Sequence, residues 1–138
     1  MTKQEIFEFV KKNPFCSLAT IDGNLPRVRI IMLYRADENG IIFTTTVLKD
    51  LYKQLQTSPA VEMCFFNAQE MRQVRIEGKA EILDDIELKK QIVEKLPFLK
   101  PLIESKGYEA LICYQLKNAK AHLWTMETNF APKEYIEL

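Results

Sequence analysis

The chain has 138 residues, 47% of them hydrophobic, with nineteen basic and nineteen acidic side chains. That length fits one domain spanning residues 1–138, able to bury roughly two-thirds of its unfolded surface. A net charge of zero removes any general field for nucleic acid or an anionic membrane, so a basic site has to be local.

The N-terminal residues Met1-Thr2-Lys3-Gln4-Glu5 lack the apolar segment of a signal peptide, and no apolar run reaches the length of a membrane span. The expectation is a soluble, cytoplasmic protein. Thr2 and Glu5 form a capping box for a first helix, in which Ile6, Phe9 and Val10 recur at helical spacing until Asn13-Pro14 ends it. Phe15–Ile21 and Leu25–Tyr34 read as two strands of a hairpin, because Asp22-Gly23 supplies the positive φ angles such turns demand. Asp37-Glu38-Asn39-Gly40 turns the chain into a strand from Ile41 to Thr46. A short amphipathic helix from Leu48 to Thr57 follows, stopped by Ser58-Pro59.

Ala60–Phe66 and Gln73–Leu83 are the next strands. In the second, Val74, Ile76, Gly78, Ala80 and Ile82 alternate with Arg75, Glu77, Lys79 and Glu81, the period of a strand with one buried face. Asp85 caps a helix carrying Ile86, Ile92, Val93 and Leu96. Pro97 breaks it before a second helical stretch that ends near Gly107. Ala110–Leu116 and Lys120–Met126 are expected as a last strand pair around Asn118. Six or so antiparallel strands with inserted helices predict a mainly β, α+β architecture, a small barrel or sheet rather than a parallel βαβ fold. Cys16, Cys64 and Cys113 are odd in number and widely spaced, which fits neither a disulfide framework nor a metal site. They read as reduced core residues, as do Phe65, Phe66 and Tyr52.

The chemistry-bearing stretch is Pro26-Arg27-Val28-Arg29, followed by Phe43-Thr44-Thr45-Thr46 and Lys49. Arg27 and Arg29 are two apart on a strand, so they point to one side with α-carbons roughly 7 Å apart. Guanidinium groups offer paired donors matched to phosphate oxygens, and Lys49 at a helix start adds a charge where the helix dipole also favours an anion. The same residues equally describe the solvated face of a half-buried sheet. The order of the pieces separates the two readings. Leu18-Ala19-Thr20-Ile21-Asp22-Gly23 with Pro26-Arg27-Val28-Arg29, then Phe43-Thr44-Thr45 through Lys49, Tyr52, Leu55 and Ser58-Pro59-Ala60-Val61, then Gln73-Val74-Arg75-Ile76-Glu77-Gly78-Lys79-Ala80, together resemble the pyridoxamine 5′-phosphate oxidase-like family of FMN-binding split barrels.

That resemblance implies a six-stranded antiparallel Greek-key split β-barrel and a homodimer with FMN at its interface. It places Arg29 on an FMN-phosphate arginine with Arg27 as helper. Thr44 and Thr45 fall on the pair flanking the ribityl chain and ring, and Lys49 on the phosphate loop. Gln73 falls on a glutamine at the isoalloxazine edge, and Trp124 on an aromatic contributed by the partner subunit. The implied function is an FMN-dependent oxidoreductase acting on a small molecule, with NADH or NADPH as a candidate reductant. The alternatives are a non-catalytic FMN or haem carrier or sensor on the same fold, and a nitroimidazole-reductase-like flavoenzyme. A third class, another phosphorylated ligand or nucleic acid, meets the neutral net charge as its objection. All five arginines lie between Arg27 and Arg75, so the C-terminal Arg-x-His element of true pyridoxamine phosphate oxidases is missing, and Tyr34 stands where those enzymes carry lysine. Pyridoxal phosphate synthesis is therefore not expected. The first strand, Phe15–Ile21, also lacks the histidine usual among nitroimidazole reductases. His122, the single histidine, is the candidate proton donor, its other reading being an ordinary sheet histidine at an interface.

Overall fold

A computed structural model describes residues 1–138. Helix α1 (Lys3–Lys12) starts at the capping box: the Thr2 N–H donates to Glu5 Oε2 at 2.6 Å and the Glu5 N–H donates to Thr2 Oγ1 at 3.2 Å. Its apolar face, Ile6, Phe9 and Val10 with Phe7 added, is buried. The hairpin β1 (Phe15–Asp22) and β2 (Leu25–Met32) turns at Gly23, whose φ of 66° is the left-handed conformation that favours glycine. A second hairpin, β3 (Arg35–Asp37) and β4 (Gly40–Thr46), precedes helix α2 (Asp50–Thr57). Strands β5 (Ala60–Asn67) and β6 (Arg72–Ile82) lead to helix α3 (Ile86–Lys95), whose first turn is capped by Asp85 accepting from the Leu88 N–H at 3.1 Å. A 3-10 turn (Pro97–Leu99) and helix α4 (Lys100–Lys106) return the chain to β7 (Leu111–Thr125) and the two-residue β8 (Ile136–Glu137).

The strands form one antiparallel sheet in the order β2-β1-β5-β6-β7-β4-β3, with β8 on β7. Its two ends are consecutive in the chain. Leu33 and Tyr34 carry the backbone from β2 to β3, with the Leu33 N–H donating to Pro14 O and the Tyr34 N–H to Ile42 O, both at 2.9 Å. The sheet therefore curls into a barrel that is joined at Tyr34 and Ile42. It stays open where β2 and the Phe43–Thr46 part of β4 each pair on one side only. This is a split barrel of six long strands with two short additions. Leu18, Phe43, Met63, Phe65, Val74, Ile76 and Tyr114 fill the interior, and α3 covers the opposite face of β4 and β7 through Ile42, Leu88, Ile92, Val93, Leu111 and Cys113.

Three expectations are corrected. The strand pair around Asn118 is a single fifteen-residue strand. Asn118, at φ 53°, is not a hairpin turn but the extra residue of a bulge: Glu77 pairs with Lys120 and Lys79 with Lys117, so Asn118 and Ala119 together face Gly78. The bulge brings β7 so close that a β-carbon on Gly78 would lie 2.8 Å from Leu116 Cγ and 2.9 Å from Lys117 O. The expected strand Leu25–Tyr34 ends at Met32, where the chain crosses the split. Phe66 and Cys64 are not core residues: they point from β5 to the outer face of the sheet, Phe66 being exposed and Cys64 half-buried.

Candidate functional site

The split is a cleft of about 1020 Å³, walled by β2 on one side and by the end of β4 and the start of α2 on the other. The strand period puts Arg27, Arg29 and Ile31 toward it and Val28, Ile30 and Met32 toward the outer sheet face, though backbone from the whole stretch borders the opening. Thr44, Thr45, Thr46 and Lys49 border the cleft from the other wall. Five of the residues singled out in the sequence, Arg27, Arg29, Thr44, Thr45 and Lys49, thus meet in one place.

Arg29 is the most constrained of them. Its Nη1 donates to Leu18 O at 3.3 Å and to Thr20 Oγ1 at 2.6 Å, and its Nη2 donates to Gln54 Oε1 at 2.6 Å. The Thr20 hydroxyl in turn donates to Gln54 Oε1 at 2.6 Å, closing a triangle between β1, β2 and α2. A guanidinium has five N–H donors, so the Nε–H and one Nη2–H are left without a protein partner. Burial pulls the Arg29 pKa below the ordinary arginine value and the Asp50 carboxylate opposes that shift, so the group stays charged. Thr20 and Gln54, the residues that fix Arg29 at the candidate site, were missed by sequence reading. The only signal was Thr20 lying opposite Arg27 and beside Arg29 in the hairpin, and nothing local pointed to Gln54.

Arg27 is looser: its Nε donates to Asp22 Oδ2 at 3.2 Å in a half-exposed ion pair, which contributes little to stability. Lys49 occupies the N-cap of α2, its own N–H donating to Thr46 O at 3.1 Å, and no side chain caps the helix. The first-turn N–H groups of α2 thus lack a side-chain acceptor, and Lys49 and Asp50 both line the cleft beside them, so an anion there would gain the helix start and the lysine against one carboxylate. Two free donors on Arg29, a second arginine, a lysine, an uncapped helix start and three hydroxyls make a donor set suited to a phosphate monoester.

The remaining candidates lie elsewhere. Gln73 and Trp124 face one another across β6 and β7, on the outer sheet face rather than in the cleft. The Trp124 Nε1–H donates to Asn129 Oδ1 at 2.9 Å. His122 is opposite Arg75, two residues from Trp124. Its Nδ1 lies 3.2 Å from Glu134 O, which makes Nδ1 the donor and leaves Nε2 free, and its ring sits 5.9 Å from that of Tyr135. Arg75 itself donates from Nε to Glu62 Oε1 at 2.7 Å. Burial pushes the Cys16 thiol up to about 12 and the Cys113 thiol to about 11, so neither is a nucleophile at neutral pH. No helix is long and apolar enough to cross a membrane.

Fold and cleft together define a split-barrel protein with a cationic opening between its unpaired strands. The family model for pyridoxamine 5′-phosphate oxidase matches residues 2–106, and the chain belongs to that family. Among its relatives, pyridoxine/pyridoxamine 5′-phosphate oxidase of Allorhizobium ampelinum is 35% identical over 72 residues, which are 51% of this chain and 35% of that protein. The enzyme of the same name from Pseudomonas putida is 42% identical over 66 residues, 47% of this chain and 31% of that one. The match thus spans about a third of each relative's length. Among solved structures, a NimC/NimA family protein from Clostridium acetobutylicum superposes with a TM-score of 0.79 at 22% identity, covering 99% of this chain and 93% of that one. A pyridoxamine 5′-phosphate oxidase-related, FMN-binding protein from Nostoc punctiforme does so with a TM-score of 0.63 at 16% identity, covering 96% and 87%. These likenesses show the fold.

Proposed function

We propose that the protein is an FMN-binding flavoprotein, a homodimeric FMN-dependent oxidoreductase that acts on a small molecule other than a pyridoxal phosphate precursor. The observation that carries the reading is the Arg29 guanidinium, fixed by Thr20 and Gln54 with two donors to spare, beside the uncapped start of α2. Arg29, Arg27 and Lys49 would hold the phosphate, and Thr44 and Thr45 the adjoining polyol and ring edge. The unpaired edges of β2 and β4 offer backbone donors and acceptors to a flat heteroaromatic ring. The cleft volume, about 1020 Å³, is at the upper end for a small-molecule site, so there is space for a cofactor and a substrate together. When bound, the flavin supplies the electron and hydride chemistry that no side chain here can perform.

The second copy enters through the outer sheet face. Met32 pairs with Phe15 on β1, Phe66 with Gln73, and Gln73 with Trp124, so a row of exposed apolar side chains on β2, β1 and β5 runs toward the two candidates absent from the cleft. Covering this row with a second molecule would bury the apolar area and bring Gln73 and Trp124 into a shared interface. Tyr34, standing where the resemblance puts a lysine in true pyridoxamine phosphate oxidases, supports the exclusion of pyridoxal phosphate synthesis.

The test is a visible spectrum of the purified protein, with FMN titration and then anaerobic addition of NADH or NADPH. Flavin bands that bleach with a reduced nicotinamide are expected. Absence of flavin bands and of FMN uptake would overturn the reading, and a bound flavin that stays oxidised with every reductant would make the protein a carrier. Sedimentation of the loaded protein reads the dimer directly.

A further inference from the structure

The cationic cleft carries its own opposition. Asp22 and Asp50 line it together with Arg27, Arg29, Lys49 and Lys53, so two carboxylates stand among four cations. Asp22 closes β1 at the hairpin turn, and its Oδ2 accepts from Arg27 Nε at 3.2 Å, which engages its charge with one partner. Asp50 is differently placed. It is the first residue of α2, beside the Lys49 N-cap, and it forms no ion pair with any protein group. It is still close enough to Arg29 to hold that guanidinium's pKa up against the burial that lowers it.

A carboxylate in the first turn stabilises a helix, because it meets the positive end of the dipole and N–H groups that have no acceptor. A ligand phosphate would use the same field. An independent feature marks the cleft as a place for a ligand: Thr45, only 8% exposed, lines it, and its hydroxyl bonds to no protein group. Asp50 leaves the two spare donors of Arg29 open, so it opposes an incoming anion through charge and not by blocking a contact. Cations beyond the opening do not cancel it. Lys95 Nζ lies 5.5 Å from the centre of the Tyr34 ring, and Lys100, exposed at the start of α4, is not a cleft residue.

Resting on the FMN reading, we propose that Asp50 is a specificity-determining residue that counts charge: its carboxylate penalises each negative charge brought to the α2 start, so the preference for a doubly charged phosphate over a singly charged or uncharged flavin is narrower than the cations alone would make it.

The experiment titrates protein stripped of flavin with riboflavin, riboflavin 4′,5′-cyclic phosphate and FMN, which bring no, one and two negative charges at about pH 8, above the second ionisation of a phosphate monoester. Quenching of flavin fluorescence reads each affinity. Asp50→Asn, which keeps the side-chain shape, should tighten FMN by about two- to fivefold, the cyclic phosphate by less and riboflavin not at all. The gain should shrink as salt is raised. Asp84→Asn removes the same charge outside the cleft and should leave all three affinities unchanged. Unchanged FMN affinity in Asp50→Asn overturns the proposal. Weaker FMN binding does so as well, since the carboxylate would then be supporting the ligand or its cations. An equal gain for riboflavin, or the same gain in Asp84→Asn, also overturns it, because cleft shape or overall charge would be the cause. Failure of the wild-type protein to take up any flavin instead removes the FMN reading, and this proposal with it.

Discussion

Removing Arg29 isolates the phosphate contribution. Three of its five N–H donors are spent on Leu18 O, Thr20 Oγ1 and Gln54 Oε1, leaving two for a ligand. A charge-assisted contact of that kind is worth about 1.5–3 kcal/mol, which at about 1.4 kcal/mol per decade is a loss of about tenfold to a hundredfold in FMN affinity for Arg29→Ala. Folding should suffer far less, because Thr20 and Gln54 still bond to each other across 2.6 Å when the guanidinium is gone. The assay is quenching of flavin fluorescence on titration, run with both FMN and riboflavin, which differs by lacking the phosphate. The wild-type protein should prefer FMN, and Arg29→Ala should lose most of that preference while its riboflavin affinity changes little. Equal losses for the two ligands would refute the reasoning, since Arg29 would then be shaping the cleft rather than reading a phosphate.

Gln54→Leu removes the acceptor that orients Arg29 without touching a charge, so FMN affinity should fall about three- to tenfold and riboflavin affinity stay level; unaltered FMN binding would show that Thr20 alone suffices. Gly78→Val should lower the urea midpoint by an amount equivalent to about 1–3 kcal/mol, because a β-carbon there meets Leu116 Cγ at 2.8 Å and Lys117 O at 2.9 Å; an unchanged midpoint would mean the bulge gives way freely. Stability should decline above about pH 9. There the unfolded chain releases thiol protons that burial retains on Cys16, up to about 12, and on Cys113, up to about 11, so the folded state binds more protons than the unfolded state and loses ground as pH rises. Below pH 8 the two thiols contribute no slope, and Cys16→Ala should make the alkaline decline shallower when urea midpoints at pH 8 and pH 10 are compared.

The parts of the site that were legible share a local cause. Arg27 and Arg29 sit on one side of a strand by period alone, and Lys49 lies beside a helix start that Ser58-Pro59 bounds at the other end, so spacing along the chain is enough to group them. Thr20 and Gln54 are 34 residues apart, and their pairing depends on how α2 lies over β1, which no local pattern encodes. Asn118 misled for a related reason. Asparagine tolerates a positive φ in a hairpin turn and in a bulge alike, and what separates the two is Gly78 on a different strand. Phe66 looked like core because it adjoins Phe65, yet strand alternation sends neighbours to opposite faces: Phe65 is fully buried and Phe66 is 48% exposed.

The split has a physical cost that bears on what fills it. A barrel closed by pairing β2 with β4 would satisfy the backbone groups of both strands and leave no cleft. Here the Leu33–Tyr34 crossing secures one end of the gap through Pro14 and Ile42, and beyond it both edges stay unpaired. Unpaired edges are templates for adventitious strand addition, and β2 carries that hazard together with Val28, at 68% exposure, and Ile30, at 65%, on its outer face. Of the charges on its inner side, Arg27 is already paired with Asp22, and neither Arg27 nor Arg29 reaches the apolar outer face. Two different coverings are therefore needed, a ligand along the edges inside the cleft and an apolar surface over the outer face. The proposed flavin at Arg29 would supply the first and the proposed second copy of the chain the second, so the FMN site and the dimer answer the same exposed strand from its two faces.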